Sequence, residues 1–204
     1  MNLDPAVWGT VFPELLDSPV PTGTRPILGF RVNRIQIVQD EHHSSHLFLR
    51  GFGPRTYFWE PGKNVATCSG HTFAASDAPI HRVPAPGCRC GLYACHDLGE
   101  VARGVRTLRA GIDRFVLTGV AGTGIVRIHE RGWRAQFARI VAISSELPEP
   151  SNGLFTFRAK VSGHKVIGRH LAQALAEKYQ VRVVPLTRLA EVMRAAGDFL
   201  EGQA

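Results

Sequence analysis

The sequence predicts a mixed α+β protein with a largely antiparallel, partly closed β core, inserted helices and a C-terminal β-α-β-α element. Runs of β-branched and aromatic residues recur between positions 27 and 147, which is typical of strands. Two amphipathic helical patterns follow after position 163. With 44% hydrophobic residues spread over its length, the chain of 204 residues can bury its own core.

Composition divides the chain into three predicted parts. Residues 1–26 contain prolines at 5, 13, 19, 21 and 26, and we expect them to form an arm lying on the body. Residues 27–147 are the predicted β-rich core, which includes a Cys/His loop. The turn-rich stretch ELPEPSNG precedes the third part, residues 153–204, which we expect to pack on the core because about 50 residues rarely form an independent domain.

The first strands of the core are predicted from short apolar runs. ILGFRVNRIQIV, at 27–38, is a strand in which the apolar phase slips between Val32 and Ile35, and this slip predicts a bulge. LFLRGFG is a second strand, and TYFWEPG ends in a turn. GLYACHDLGEVARGVRTLRAG then runs from a short strand or turn into a helix, since Leu98, Val101 and Val105 have helical spacing.

Residues 115–143 are predicted to form sheet, with turns at two glycines. This stretch reads as three strands, RFVLTGV, GIVRIHE and RAQFARIVAI, parted by glycine turns at Gly122 and Gly132. The glycines of GVAGTG do not predict a phosphate-binding loop, because a strand follows them where that motif needs a helix.

The C-terminal part is predicted to alternate strands and helices. LFTFRAKVS is a strand and GHKVIGRHLAQALAEKYQ an amphipathic helix. VRVVPL is the next strand, and the helix TRLAEVMRAAGDFLEG follows with Thr187 as its N-cap.

Cysteine and histidine cluster in a long connection with few periodic apolar residues, from 62 to 90. Such a connection is uncommon in a compact domain unless something organises it. Thiolate and imidazole are the usual ligands of structural zinc, and paired ligands commonly lie two to four residues apart. The sequence predicts a structural zinc site with three cysteines and one of two histidines as the fourth ligand: Cys68, Cys88, Cys90, and His81 or His71.

Two other interpretations of this cluster stay open. It could serve a metal- or thiol-dependent enzyme, with three protein ligands, an open position and Glu60 or Glu130 as the base. It could also consist of small buried cysteines and surface histidines in a protein-interaction module without metal. Cys95 and His96 are adjacent and are not expected to face one site together.

The formal net charge is +7 with a pI near 9.7, and the basic residues are mainly arginine. Guanidinium groups suit phosphate, although a GC-rich genome would also raise the arginine content. The stretch HERGWRAQFARI places arginines around an aromatic ring that could stack on a base. The predicted nucleic-acid contacts are Arg127, Arg131, Trp133, Arg134 and Arg139. We expect Arg131 and Arg134 to be the most exposed pair; the alternative is a core tryptophan with solvated arginines.

The N-terminal stretch MNLDPAVWGTVFPELLD lacks a basic region followed by an apolar run, so no signal peptide is predicted. No segment approaches the ~20 apolar residues of a membrane helix. The sequence therefore predicts a cytoplasmic protein with no membrane partner, in which thiols stay reduced. Four cysteines between positions 68 and 95 then favour metal binding or thiol chemistry over disulfides.

Three motifs resemble a family of small bacterial proteins: WEPGKNVATC, APGCRCGLYA and GIVRIHERGWRAQFARI, within residues 28–143. The pattern is W-x-P-G, a cysteine, then A-P-G-C-x-C-G-[LI]-Y-A, and the resemblance gives a grouping without an activity. The order of elements from CGLYA through a helix to VLTGV is also similar to PUA-like barrels of the ASCH and EVE branches. That similarity implies a small β-barrel of a kind that often binds RNA or modified bases, and it carries over no binding residue.

Overall fold

The computed structural model describes residues 19–20, 26–41, 45–51, 58–68, 81–105, 114–144, 146 and 169–201. The strands in this part are β1 (Pro19–Val20), β2 (Ile27–Gln39), β3 (Ser45–Arg50), β4 (Phe58–Trp59), β5 (Asn64–Val65), β6 (Leu92–Cys95), β7 (Arg114–His129), β8 (Gly132–Ser144) and β9 (Arg182–Val183). The helices are α1 (Leu98–Val105), α2 (Arg169–Tyr179) and α3 (Leu186–Glu201). The predicted α+β class is confirmed. The strand predicted at 154–162 and nearly all of the N-terminal arm lie outside the described residues.

The strands form one sheet that partly closes on itself. Its order is β1-β7-β8-β6-β2-β3-β4, and β7 also pairs with β2, so that β2, β7, β8 and β6 make a ring. The β2–β6 closure consists of Phe30 opposite Cys95. Pairing is antiparallel, except that β9 joins β8 in parallel. The predicted partly closed β core is thus present, and its assignment to the PUA-like barrels stays a prediction.

Strand β2 is buried on both faces. Ile35 belongs to one core cluster together with Trp59 and Trp133, whereas Phe30 and Val32 belong to a second cluster beneath α1 and α3. The pairing with β7 runs in unbroken register from position 27 to position 35. The predicted bulge is therefore wrong: the apolar phase changes because different residues face the two clusters.

Strand β7 runs continuously from Arg114 to His129, so the predicted turn at Gly122 is wrong. The register with β8 instead shifts between Thr123 and Val126, where Gly124 has a φ of 76°. This irregularity bends the strand without ending it. A Cβ on Gly122 would collide with the Trp133 ring, which explains the glycine at a position without a turn.

The hairpin turn between β7 and β8 consists of Glu130 and Arg131. Gly132 is the first residue of β8, opposite His129, rather than a turn residue as predicted. Apart from this two-residue turn, residues 115–143 are all sheet, and that prediction is confirmed.

The C-terminal helices pack on both core clusters. Leu175 and Tyr179 of α2 join the first cluster, and Leu189 and Met193 of α3 join the second. Helix α3 begins at Leu186, so Thr187 is not its N-cap. The Leu186 N–H donates instead to the Glu146 carboxylate at 3.0 Å, a partner 40 residues away that no local pattern reveals.

Helix α1 starts where the sequence predicts it. The Asp97 carboxylate accepts the Glu100 N–H at 2.9 Å, which is an N-cap contact. The carboxylate of Glu100 is nearly buried and receives Arg103 from its own helix and Arg131 from the hairpin turn. Among the described helices, none has both the length and the apolar character needed to cross a membrane.

Candidate metal centre

Two chain segments bring the predicted ligands together. Cys68 follows β5, which pairs with β8, and His81, Cys88 and Cys90 lie in the segment just before β6, which also pairs with β8. Within that segment Pro86 and Gly87 form the predicted turn, with Gly87 at a φ of 66°. The Cys88 N–H donates across this turn to the carbonyl of Ala85 at 3.3 Å.

The ligand atoms of Cys68, His81, Cys88 and Cys90 all lie within 4.8 Å of one another. The Cys68 and Cys88 sulfurs are 3.6 Å apart, and the Cys90 sulfur is 4.0 Å from His81 Nδ1. Ligands at tetrahedral corners around zinc are separated by about 3.8 Å when the zinc–sulfur bond is about 2.3 Å. The spacing therefore matches four ligands of one ion.

Of the two candidate histidines, His81 joins the cysteines, whereas His71 lies outside the described residues. The group contains no carboxylate among the residues that the structure describes. Glu60 and Glu130, the bases of the enzyme interpretation, are exposed and do not belong to it.

Two thiols of the cluster, Cys88 and Cys90, differ in acidity. Burial raises the pKa of Cys90 to about 12, and the neighbouring Cys88 and Cys68 thiols add to that rise. Burial alone would also raise the pKa of Cys88, but hydrogen bonds from the Cys90 N–H, the two other thiols and His81 together lower it. Without metal, Cys88 would thus ionise before Cys90; a bound cation favours the thiolate at all three cysteines.

Cys95 is a separate, partly buried thiol at the end of β6. Burial and the Glu100 carboxylate raise the pKa of Cys95 to about 11. Its neighbour His96 is half-buried and has its Nε2 atom 2.8 Å from the His129 carbonyl. Neither residue belongs to the group formed by Cys68, His81, Cys88 and Cys90.

The residues predicted to contact nucleic acid occupy very different positions. Trp133 is fully buried, with its indole N–H donating to the Leu28 carbonyl at 3.0 Å. Arg134 is 3% exposed and Arg127 is 7% exposed. The expected exposure of Arg134 is therefore wrong, and Trp133 is a core residue rather than a stacking platform. Arg131 and Arg139 are half-buried and reach solvent in part.

The buried side chains of Arg127 and Arg134 are hydrogen-bonded to the segment before β6, which contains His81, Cys88 and Cys90. Arg127 Nε donates to the Pro84 carbonyl at 3.2 Å, and Arg134 Nη1 donates to the Cys90 carbonyl at 3.5 Å. Arg134 Nε also donates to His129 Nε2 at 3.0 Å. The two contacts with carbonyls join positions that are 43 and 44 residues apart in sequence. Local sequence patterns therefore could not distinguish these buried arginines from solvated ones.

No family model, curated protein or solved structure matches the chain. The family grouping by motif and the similarity to PUA-like barrels therefore stay predictions.

Proposed function

We propose that this protein is a small metal-binding module in which Cys68, His81, Cys88 and Cys90 hold one structural zinc ion. The observation that supports the proposal is the convergence of their four ligand atoms within 4.8 Å. Thiolate and imidazole favour zinc over calcium or magnesium, which take oxygen ligands. Four protein ligands fill a tetrahedral shell and leave no position for a reacting water, which favours a structural role over catalysis.

The proposed ion would connect two segments that pair with β8. Cys68 extends from β5, whereas the other three ligands precede β6. The segment from 81 to 91 contains no regular secondary structure, so its own backbone supplies few hydrogen bonds to hold it. Because the ligands cannot form this arrangement in the unfolded chain, the free energy of metal binding would add to that of folding.

Elemental analysis with matched cysteine variants tests this proposal. Wild-type protein should carry about one equivalent of zinc, and Cys88→Ser should lose the metal and unfold at a lower temperature. Cys95→Ser is the control, since the same substitution outside the cluster should keep the zinc. Wild-type protein without metal, together with unchanged thermal stability of Cys88→Ser, would leave the protein-interaction module without metal as the better interpretation.

Contact with nucleic acid or another polyanion is a further part of the proposal. It is supported by the net charge of +7 and by the partial exposure of Arg131 and Arg139. The burial of Trp133, Arg127 and Arg134 removes them from the contact surface and restricts the proposal to electrostatic, sequence-independent binding. The proposed location is the cytoplasm, because the cysteines of such a site would stay reduced there.

A further inference from the structure

Two buried guanidinium groups lie directly opposite each other in the sheet. Arg127 of β7 and Arg134 of β8 are cross-strand partners, and both are almost fully buried. Like charges in directly opposite positions destabilise a sheet, and removing them from water adds to the cost. Both side chains have hydrogen-bond partners in the segment that carries the ligands.

A third side chain extends this row across the sheet. Tyr93 of β6 is the cross-strand partner of Arg134 on the other side, so that Tyr93, Arg134 and Arg127 are neighbours on three adjacent strands. The Tyr93 hydroxyl donates to the carbonyl of Arg89. The row therefore continues without a break from β6 to β7.

All three side chains of this row hold the segment that carries the ligands. Arg127 binds the Pro84 carbonyl, Tyr93 the Arg89 carbonyl and Arg134 the Cys90 carbonyl. Cys90 is itself a proposed ligand, and Arg89 lies between the proposed ligands Cys88 and Cys90. The row thus fixes the backbone from which the Cys88 and Cys90 sulfurs project.

The charges of the row and of the site are complementary. A zinc ion held by three thiolates and one neutral imidazole carries a net charge of about −1. Arg134 and Arg127 place buried positive charge against the Cys90 and Pro84 carbonyls of the segment that carries the ligands, where little water screens it. The metal-bound form would then add a favourable electrostatic interaction with the two buried guanidinium groups.

We infer that Arg134, assisted by Arg127 and Tyr93, is a positioning residue that sets the zinc affinity of the Cys68, His81, Cys88 and Cys90 site. The inference rests on the proposed function. Outer residues that orient metal ligands typically change metal affinity about 10–100-fold when they are replaced. These three residues act on the site through the backbone of its ligands and through charge, without touching the ion.

Competition for zinc with a chromophoric chelator tests the inference. Arg134→Gln should bind zinc about 10–100-fold more weakly than the wild type. Arg134→Lys, which keeps the charge and loses the planar fork, should recover part of that affinity. Arg188→Gln is the control, because Arg188 is an exposed arginine on α3 that pairs with Glu191 and should leave zinc affinity unchanged.

The cobalt-loaded proteins give a second readout that general destabilisation would not change. Arg134→Gln should shift the thiolate-to-cobalt charge-transfer absorption, because it removes a buried positive charge that contacts the Cys90 backbone. If the wild type binds no zinc, the proposed function and this inference both fall. If the wild type binds zinc and Arg134→Gln binds it equally well, only this inference falls. Should Arg134→Gln not fold, Tyr93→Phe decides: wild-type zinc affinity there overturns the inference, and a several-fold loss supports it.

Discussion

The hydroxyl of Tyr179, in α2, donates a 2.6 Å hydrogen bond to the carbonyl of Trp59, in β4. The same hydroxyl accepts the Leu49 N–H at 2.9 Å, so one side chain fastens the helix to two neighbouring strands. All three residues are buried. Tyr179→Phe leaves both backbone groups without this partner and should lower the free energy of unfolding by about 1–3 kcal/mol. Urea denaturation measures the change, and a variant as stable as the wild type would contradict it.

This tyrosine also predicts a dependence on pH. Burial raises the pKa of Tyr179 to about 12, although the hydrogen bond from the Leu49 N–H opposes the rise. The pKa of tyrosine in an unfolded chain is about 10, so the unfolded chain loses this proton at a lower pH than the folded protein does. The stabilisation is complete below pH ~10 and is lost as the pH rises towards ~12. The stability difference between wild type and Tyr179→Phe should therefore shrink over that interval; a constant difference would contradict the shift.

Trp133 gives a prediction that separates a core residue from a binding residue. Its ring is fully buried in the first core cluster. Trp133→Ala should lower the free energy of unfolding by about 3–5 kcal/mol because it leaves a cavity. The fraction that stays folded should keep the wild-type affinity for nucleic acid, whatever that affinity is. A loss of binding at unchanged stability would restore the stacking role that burial removes.

The contact between Gly119 and Met193 predicts non-additive mutational effects. A Cβ on Gly119, in β7, would overlap the Met193 sulfur of α3. Gly119→Ala should destabilise the protein by about 1–3 kcal/mol through overpacking. Met193→Ala should cost about 2–5 kcal/mol through the cavity that it leaves. The double variant should cost less than the two together, because the new methyl group fills part of the space; strictly additive effects would contradict this packing.

The charge of the surface predicts weak, salt-dependent association with nucleic acid. Binding should weaken as salt rises, because bound phosphates release counterions. Replacing Arg131 and Arg139 by glutamine should reduce the salt slope by about one unit per lost phosphate contact. The control is the removal of Arg188 and Arg194, which lie on the exposed side of α3, because it changes the net charge by the same amount. If no DNA or RNA binds even at low salt, neither arginine contacts phosphate and a protein partner becomes the better hypothesis.

The sequence predicted most of the sheet because its apolar runs are strong and local. It could not tell the bend at Gly124 from a turn at Gly122, since glycine permits both and the deciding contact with Trp133 is tertiary. The contact that caps α3 was equally hidden, because Glu146 lies 40 residues from Leu186 in sequence. Local periodicity therefore predicted element types better than the positions of bends and caps.

The candidate site divides in the same way. Cysteine and histidine spacing predicted the cluster, because few other residue types bind zinc and they lie close together in sequence. The arginines of β7 and β8 were assigned to nucleic acid because they alternate with aromatic residues. That alternation is the same in exposed and in buried strands, so the pattern does not distinguish a surface arginine from a buried one. Only the fold shows that Arg127 and Arg134 reach the carbonyls of the ligand segment.

The order of these parts along the chain has a consequence for biosynthesis. All four candidate ligands lie between positions 68 and 90, whereas Arg127 and Arg134 belong to strands that are translated later. On the ribosome, the ligands would therefore emerge while the sheet that finally holds them is still incomplete. The nascent segment would meet metal as an open chelator, and the later strands would then close over it. Metal that binds at that stage would hold the ligand segment together before β7 and β8 pair with the rest of the sheet.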